Sequence, residues 1–173
     1  MESTLEMEDS SKVEHLLSDK WVLWAHLPHD TDWSLKSYIN IMELESVEQI
    51  ISLYNSVPEK MTKNCMLFLM KKDINPTWED PKNQKGGCFS FKIPNKNVAS
   101  IWKELSYCTV GGTLTGDKKF QDCVTGITIS PKKSFCIIKI WMTNLNFQNP
   151  RKIRKIKNLD KDGCIFKRHK SSF

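Results

Sequence analysis

The chain has 173 residues, of which 39% are hydrophobic and 27% charged, and its formal net charge is +6. Those totals describe a soluble globular protein with core enough for one domain. No apolar run reaches the roughly 18 residues that cross a bilayer, and the acidic opening Met1–Ser11 lacks the basic-then-apolar form of a secretory signal, so a cytoplasmic protein without membrane contact is expected.

Charge is unevenly spread. Residues 1–50 carry 11 acids and 3 bases, a balance of −8, whereas residues 132–173 carry 12 bases and 2 acids, a balance of +10. Such polarity points to a polyanion near the C-terminal third, or to a solvated basic face. Cys65, Cys88, Cys108, Cys123, Cys136 and Cys164 form no C-x-x-C pair and have no His at metal-ligand spacing. Buried free thiols are expected, with no metal and no cofactor.

In chain order, residues 1–14 hold too little apolar surface to offset the entropy of ordering and read as a disordered acidic tail. A folded domain over 15–173 follows. Lys20–Ala25 reads as a strand with Trp21 and Trp24 on opposite faces. Pro28–Ser34 is a polar loop, and Trp33 within it has no local core to enter, which favours binding over packing. Ser37–Leu44 alternates like a strand buried on one side. Ser46-Val47-Glu48-Gln49 has capping-box spacing and opens a helix to about Ser56, which Pro58 ends.

Glu59–Asn64 is expected to be a loop, and Met66–Met70 a short buried strand. Gly87–Ile93 reads as another strand. Asn95 or Asn97 is expected to cap a second helix, whose Val98, Ile101, Trp102, Leu105 and Cys108 keep helical spacing, with Trp102 in the core. Gly111–Phe120 reads as a polar connection. Cys123–Ile129 and Phe135–Met142 look like a hairpin, the second strand placing Ile137, Lys139 and Trp141 opposite Cys136, Ile138 and Ile140. A Lys and a Trp opposite an all-apolar face imply that their side meets solvent or ligand. Pro150 is expected to open a short basic helix, Arg151–Lys157, with Ile153 and Ile156 as its apolar stripe.

The stretch with the most chemistry is Asn75-Pro76-Thr77-Trp78-Glu79-Asp80. At a loop tip, an indole can stack on a planar ring while the adjacent carboxylate accepts two in-plane N–H groups from its edge. Guanine offers that donor pair, and methylation at N7 makes it cationic, adding attraction to the indole face. Trp33 is the candidate for the opposite face. Taken alone, an aromatic beside an acid is more often a packed ring with a solvated neighbour.

The order of motifs carries a resemblance. Trp-x-Leu-Trp at 21–24, the loop Trp33, Ser-Val-Glu-Gln followed by Leu53-Tyr54-Asn55, Pro-x-Trp-Glu-Asp at 76–80, Lys82-Asn83-Gln84-Lys85-Gly86-Gly87, and Ile140-Trp141 together resemble the eukaryotic translation initiation factor 4E family of messenger-RNA cap-binding proteins. The resemblance covers roughly residues 15–145. It implies an α+β single domain, a strongly curved antiparallel sheet with about three helices on its convex face and a ligand slot in the concave face. By motif match, Trp33 and Trp78 would sandwich 7-methylguanine, Glu79 would accept its N1 and N2 hydrogens, and Trp141 would touch the N7 methyl group.

Lys132 falls at one of the family's phosphate-binding positions and Ile137 at the other. Lys139 would substitute from the same strand face, with the tail's Lys167 or Lys170 assisting. On the convex side the resemblance implies a partner helix from a 4G-type scaffold. There Val47 is kept, but Ile51 stands where the family has Trp, and Lys103 and Tyr107 stand at its Leu positions. Three functions compete: a monomeric cap-binding factor that supports translation initiation, a cap-binding repressor or decoy without ordinary scaffold binding, and a cap-independent single-strand RNA binder. No pairing of carboxylate or His residues would activate a nucleophile, and an enzyme is not expected.

Overall fold

Period-two alternation, folded into strands, gives this chain a sheet whose two faces differ in chemistry. The structure is a computed structural model and describes residues 13–169. The acidic tail expected over 1–14 lies outside the described residues except for Val13 and Glu14, both exposed. β1 (Leu16–His26), β2 (Tyr38–Ser46), β3 (Met66–Lys71), β4 (Gly87–Pro94), β5 (Val124–Pro131), β6 (Phe135–Met142) and β7 (Ile165–Arg168) form one curved sheet of seven strands in the order β2-β1-β3-β5-β6-β4-β7. Every neighbouring pair is antiparallel.

One face carries the main core. Trp21 and Leu23 of β1, Leu67 and Leu69 of β3, Phe89 and Phe91 of β4, and Ile138 and Ile140 of β6 are buried there. They pack under α1 (Val47–Ser56) and α3 (Asn95–Val110), which contribute Ile50, Leu53, Val98, Ile101, Trp102 and Leu105. On the other face Phe68, Met70, Cys88 and Trp141 form a smaller apolar cluster, against which Trp24, Tyr38, Met66, Ile74 and Trp78 are partly buried. Trp21 and Trp24 thus sit on opposite faces of β1, as their spacing predicts.

The capping box forms: the Ser46 hydroxyl accepts the Gln49 N–H at 3.3 Å and the Gln49 side chain accepts the Ser46 N–H at 3.1 Å. Several expectations need correction. Glu59–Asn64 is not a loop but a short helix, α2, entered from Pro58, with Glu59 in its first turn and Lys63 in its last. α3 begins directly after Pro94, so neither Asn95 nor Asn97 supplies a side-chain cap. Within the expected connection lies the start of α4 (Lys118–Cys123), capped by the Asp117 carboxylate on the N–H groups of Lys119 and Phe120.

The expected helix Arg151–Lys157 is only a 3₁₀ turn at Pro150–Lys152. Beyond it the backbone bonds elsewhere: Arg154 donates to the Leu114 carbonyl at 2.8 Å, and Ile153 bridges Thr115. Ile153 and Ile156 are still buried, so the apolar spacing marked core residues without marking a helix. The strand β7, pairing with β4, lies outside the elements the sequence pattern predicts. All six cysteines are free; Cys88, Cys108 and Cys136 are buried and the other three partly so.

Candidate functional site

The loop from β3 to β4 carries Trp78 and is held by side chains rather than by a ladder. The Asp80 carboxylate, itself buried, accepts the N–H of Asn75 and the N–H of Lys82, each at 2.8 Å. The Asn83 amide donates to the Thr77 carbonyl at 2.9 Å and to that of Asn75 at 3.3 Å. These bonds fold the chain so that Pro76 is buried, Trp78 half-buried and Glu79 exposed. The loop ends where Gly86 passes the end of β6, so close that a Cβ there would lie 1.7 Å from the Met142 carbonyl oxygen.

Trp78 and Glu79 form part of the wall of a cavity of about 260 Å³ on the concave face. Trp33, Tyr38, Trp141 and Lys139 share that wall, with Met66, Phe68, Thr128 and Ser130 between them. The volume lies just below the roughly 300–1,000 Å³ usual for ligand pockets, which suits one planar ring system with its appendages left outside. A larger cavity of about 530 Å³ lies elsewhere, lined in part by Lys20, Lys71 and Lys72. Those ammonium groups pair with Glu45, Asp19 and Glu43.

Trp33 is 54% exposed in its loop, and its ring stacks on His26 with centroids 3.9 Å apart and planes 1° from parallel. Asp32 shapes the turn through it by accepting the Ser34 N–H at 2.8 Å and the Ser34 hydroxyl at 3.0 Å, bonds that hold the Asp32 carboxyl below the usual range. Trp141 is fixed by its indole N–H, donated to the Thr128 hydroxyl at 3.2 Å, and by the ring of His169, 4.5 Å away. Burial, helped by the positive Lys139, pushes His169 down to about 4. Burial raises the Tyr38 hydroxyl, and the negative Glu79 raises it further, so that charge is felt inside the cavity.

Of the expected phosphate contacts, Lys139 lines the cavity. Lys167 is paired across from Cys88 on β7. Burial raises the Cys88 thiol while Lys139 and Lys167 both pull it down, so the two ammonium groups flank one patch beside Trp141. Lys132 stands at the exposed β5–β6 turn, outside the cavity wall, its N–H bonded to the Phe135 carbonyl at 2.8 Å. Lys170 lies outside the described residues.

On the convex side Val47 and Ile51, 38% and 44% exposed, share one face of α1. Lys103 and Tyr107 lie one turn apart on α3, the Lys103 ammonium 5.8 Å from the Tyr107 ring. The helices meet where Tyr54 packs edge-on against Tyr107 at 5.6 Å.

A sequence profile described as eukaryotic initiation factor 4E matches residues 16–173. The chain belongs to the eukaryotic initiation factor 4E family. It is 29% identical over 153 residues to eukaryotic translation initiation factor 4E-2 of Schizosaccharomyces pombe, covering 83% of this chain and 60% of that protein. With factor 4E1 of Drosophila melanogaster it shares 30% identity over 149 residues, 80% of this chain and 56% of the other. The chain therefore spans only about three-fifths of the length of these curated 4E relatives. Its fold matches the crystal structure of schistosome eIF4E complexed with m7GpppG and 4E-BP, with a TM-score of 0.70 at 24% identity over 78% of this chain and 75% of that one.

The sequence did not single out Tyr38 and Thr128 of the cavity wall, nor His26 and His169 against the rings of Trp33 and Trp141. For His26 a signal existed: period two puts it on the same side of β1 as Trp24. For His169 there was none, because its place depends on the unforeseen pairing of β7.

Proposed function

We propose that this chain binds the 7-methylguanosine cap of messenger RNA in the concave cavity and so supports translation initiation in the cytoplasm. The observation that carries this reading is the convergence of Trp33, Trp78, Glu79, Trp141 and Lys139 on one small cavity. Trp33 and Trp78 take the two faces of the cationic base, each stack being worth roughly 1–3 kcal/mol. Glu79 accepts the base's N1 and N2 hydrogens, charge-assisted bonds worth about 1.5–3 kcal/mol. Trp141 closes the end where the N7 methyl group sits.

Lys139 takes the first phosphate beyond the ring, with Lys167, Lys132 and Lys170 assisting. Family membership, and relatives crystallised with m7GpppG and 4E-BP, support the reading. It needs no metal, cofactor or catalysis. The experiment is retention of the full chain on m7GTP-coupled resin: release by free m7GTP but not by GTP is expected, and release by both equally contradicts it.

A second reading rests on the convex face. α1 exposes Ile51 where the family resemblance calls for Trp, and α3 offers Lys103 and Tyr107 where it calls for Leu. A chain with an intact slot and that face would hold the cap without recruiting an ordinary 4G-type scaffold, as a repressor or decoy. Binding of a Tyr-x-x-x-x-Leu-Φ helical peptide, Φ being apolar, to the cap-loaded chain separates the two: micromolar binding favours initiation, and none favours the decoy.

A further inference from the structure

Resting on the cap-slot reading, we propose that His26 is a positioning residue that fixes the Trp33 wall of the slot before the base arrives. Trp33 stands in a loop of exposed residues, where an indole has many orientations open to it. His26, by contrast, is the last residue of β1, 1% exposed and paired with both Tyr38 and Met66 in the sheet. Its ring covers one face of the Trp33 indole at 3.9 Å and 1°, and a ring has two faces. The uncovered one is left for the ligand.

The hold has a second point. His26 Nε2 meets the Asp32 carbonyl at 2.8 Å, so the imidazole grips the backbone immediately before Trp33 as well as the indole itself. A carbonyl can only accept, which places a hydrogen on Nε2, while Nδ1 is buried without a hydrogen-bond partner. Tyr38 closes the group edge-on, 5.2 Å from His26 and 6.5 Å from Trp33. The sheet thus orients a loop side chain through one intermediate ring. An indole already held need not be immobilised when the base binds, so less entropy is lost in the complex.

The test is a double-mutant cycle read by calorimetric titration with m7GTP, with thermal unfolding recorded for every variant. His26→Leu keeps buried volume but removes the flat face, and is expected to weaken binding about fivefold. His26→Phe restores a flat ring and is expected to stay within about twofold of wild type. In a Trp33→Ala background, His26→Leu is expected to add nothing, because the wall it positions is gone. His26→Gln, which retains a donor for Asp32 but has no ring, gives the same loss as Leu and serves if the Leu variant does not fold.

Wild-type affinity in His26→Leu and His26→Gln overturns the inference. So does a loss that persists undiminished in the Trp33→Ala background. A wild-type chain that binds GTP as well as m7GTP overturns the cap reading and this one with it, whereas intact discrimination with indifferent His26 variants overturns this one alone.

Discussion

The Asp80 carboxylate accepts the backbone N–H of Asn75 at 2.8 Å and thereby closes the Trp78 loop on itself. A second bond, from the Lys82 N–H at 2.8 Å, uses its other oxygen. The residue beside the proposed guanine-reading Glu79 is therefore a brace that does not face the cavity. Asp80→Ala leaves amides without their acceptor, at about 1–3 kcal/mol for each buried group. The expected result is an m7GTP affinity lowered about tenfold, which corresponds to about 1.4 kcal/mol. Asp80→Asn, keeping one acceptor oxygen, should fall between. Calorimetric titration of both variants checks the order.

The Gly86 position tests the junction that ends this loop. A Cβ there meets the Met142 carbonyl at 1.7 Å, whereas one at Gly116 meets nothing within 4 Å. Gly86→Ala has to push β4 and β6 apart and is expected to cost about 3 kcal/mol or more. That corresponds to a melting temperature lower by roughly 6–12 °C for a chain of this size. Gly116→Ala should be nearly neutral in the same thermal scan.

His169 makes stability depend on pH. Its folded-state value lies near 4 against an ordinary 6.5, lowered by burial and then by Lys139. Between those values the unfolded chain binds a proton that the folded chain refuses, so stability falls as the pH drops from about 6.5 to 4 and gains nothing from this group above it. His169→Phe keeps a ring against Trp141 and removes the titration. Its melting temperature should decline less than wild type's over that interval; parallel curves would contradict the assignment.

The charged wall gives a ranking. Lys139 lines the cavity and Lys132 stands at the hairpin turn outside it. Lys139→Glu is expected to lower m7GTP affinity about tenfold or more, and Lys139→Gln to reduce the salt slope of binding by about one. Lys132→Glu should have the smaller effect. Titrations at two ionic strengths decide it.

What was legible in the sequence follows from how local each signal is. The capping box at Ser46 and Gln49 and the alternation along β6 are settled by neighbours in the chain, and both appear in the structure. Trp33, Trp78, Glu79 and Lys139 could be singled out because exposed aromatics and a Lys on a strand face are chemically conspicuous. α2 has no apolar stripe, only Thr62 buried, so nothing in its composition separates it from a loop. β7 is an edge strand with Ile165 exposed and Phe166 partly buried, the reverse of a strong alternation, and exists because β4 offers it a partner. The run after Pro150 misleads because Ile153 and Ile156 are buried at helical spacing while their backbone bonds to another segment. For His26 the alternation along β1 gave its face, but not its stacking on Trp33, a residue of the following loop.

The most direct test of the account is tryptophan-fluorescence titration of the purified chain with m7GTP and with GTP at physiological salt, repeated on Trp78→Ala and Glu79→Gln. The account predicts strong quenching and clear preference for m7GTP, with affinity reduced about tenfold or more in either variant. Equal binding of the two nucleotides by the wild-type chain, or variants that keep its preference, would contradict it.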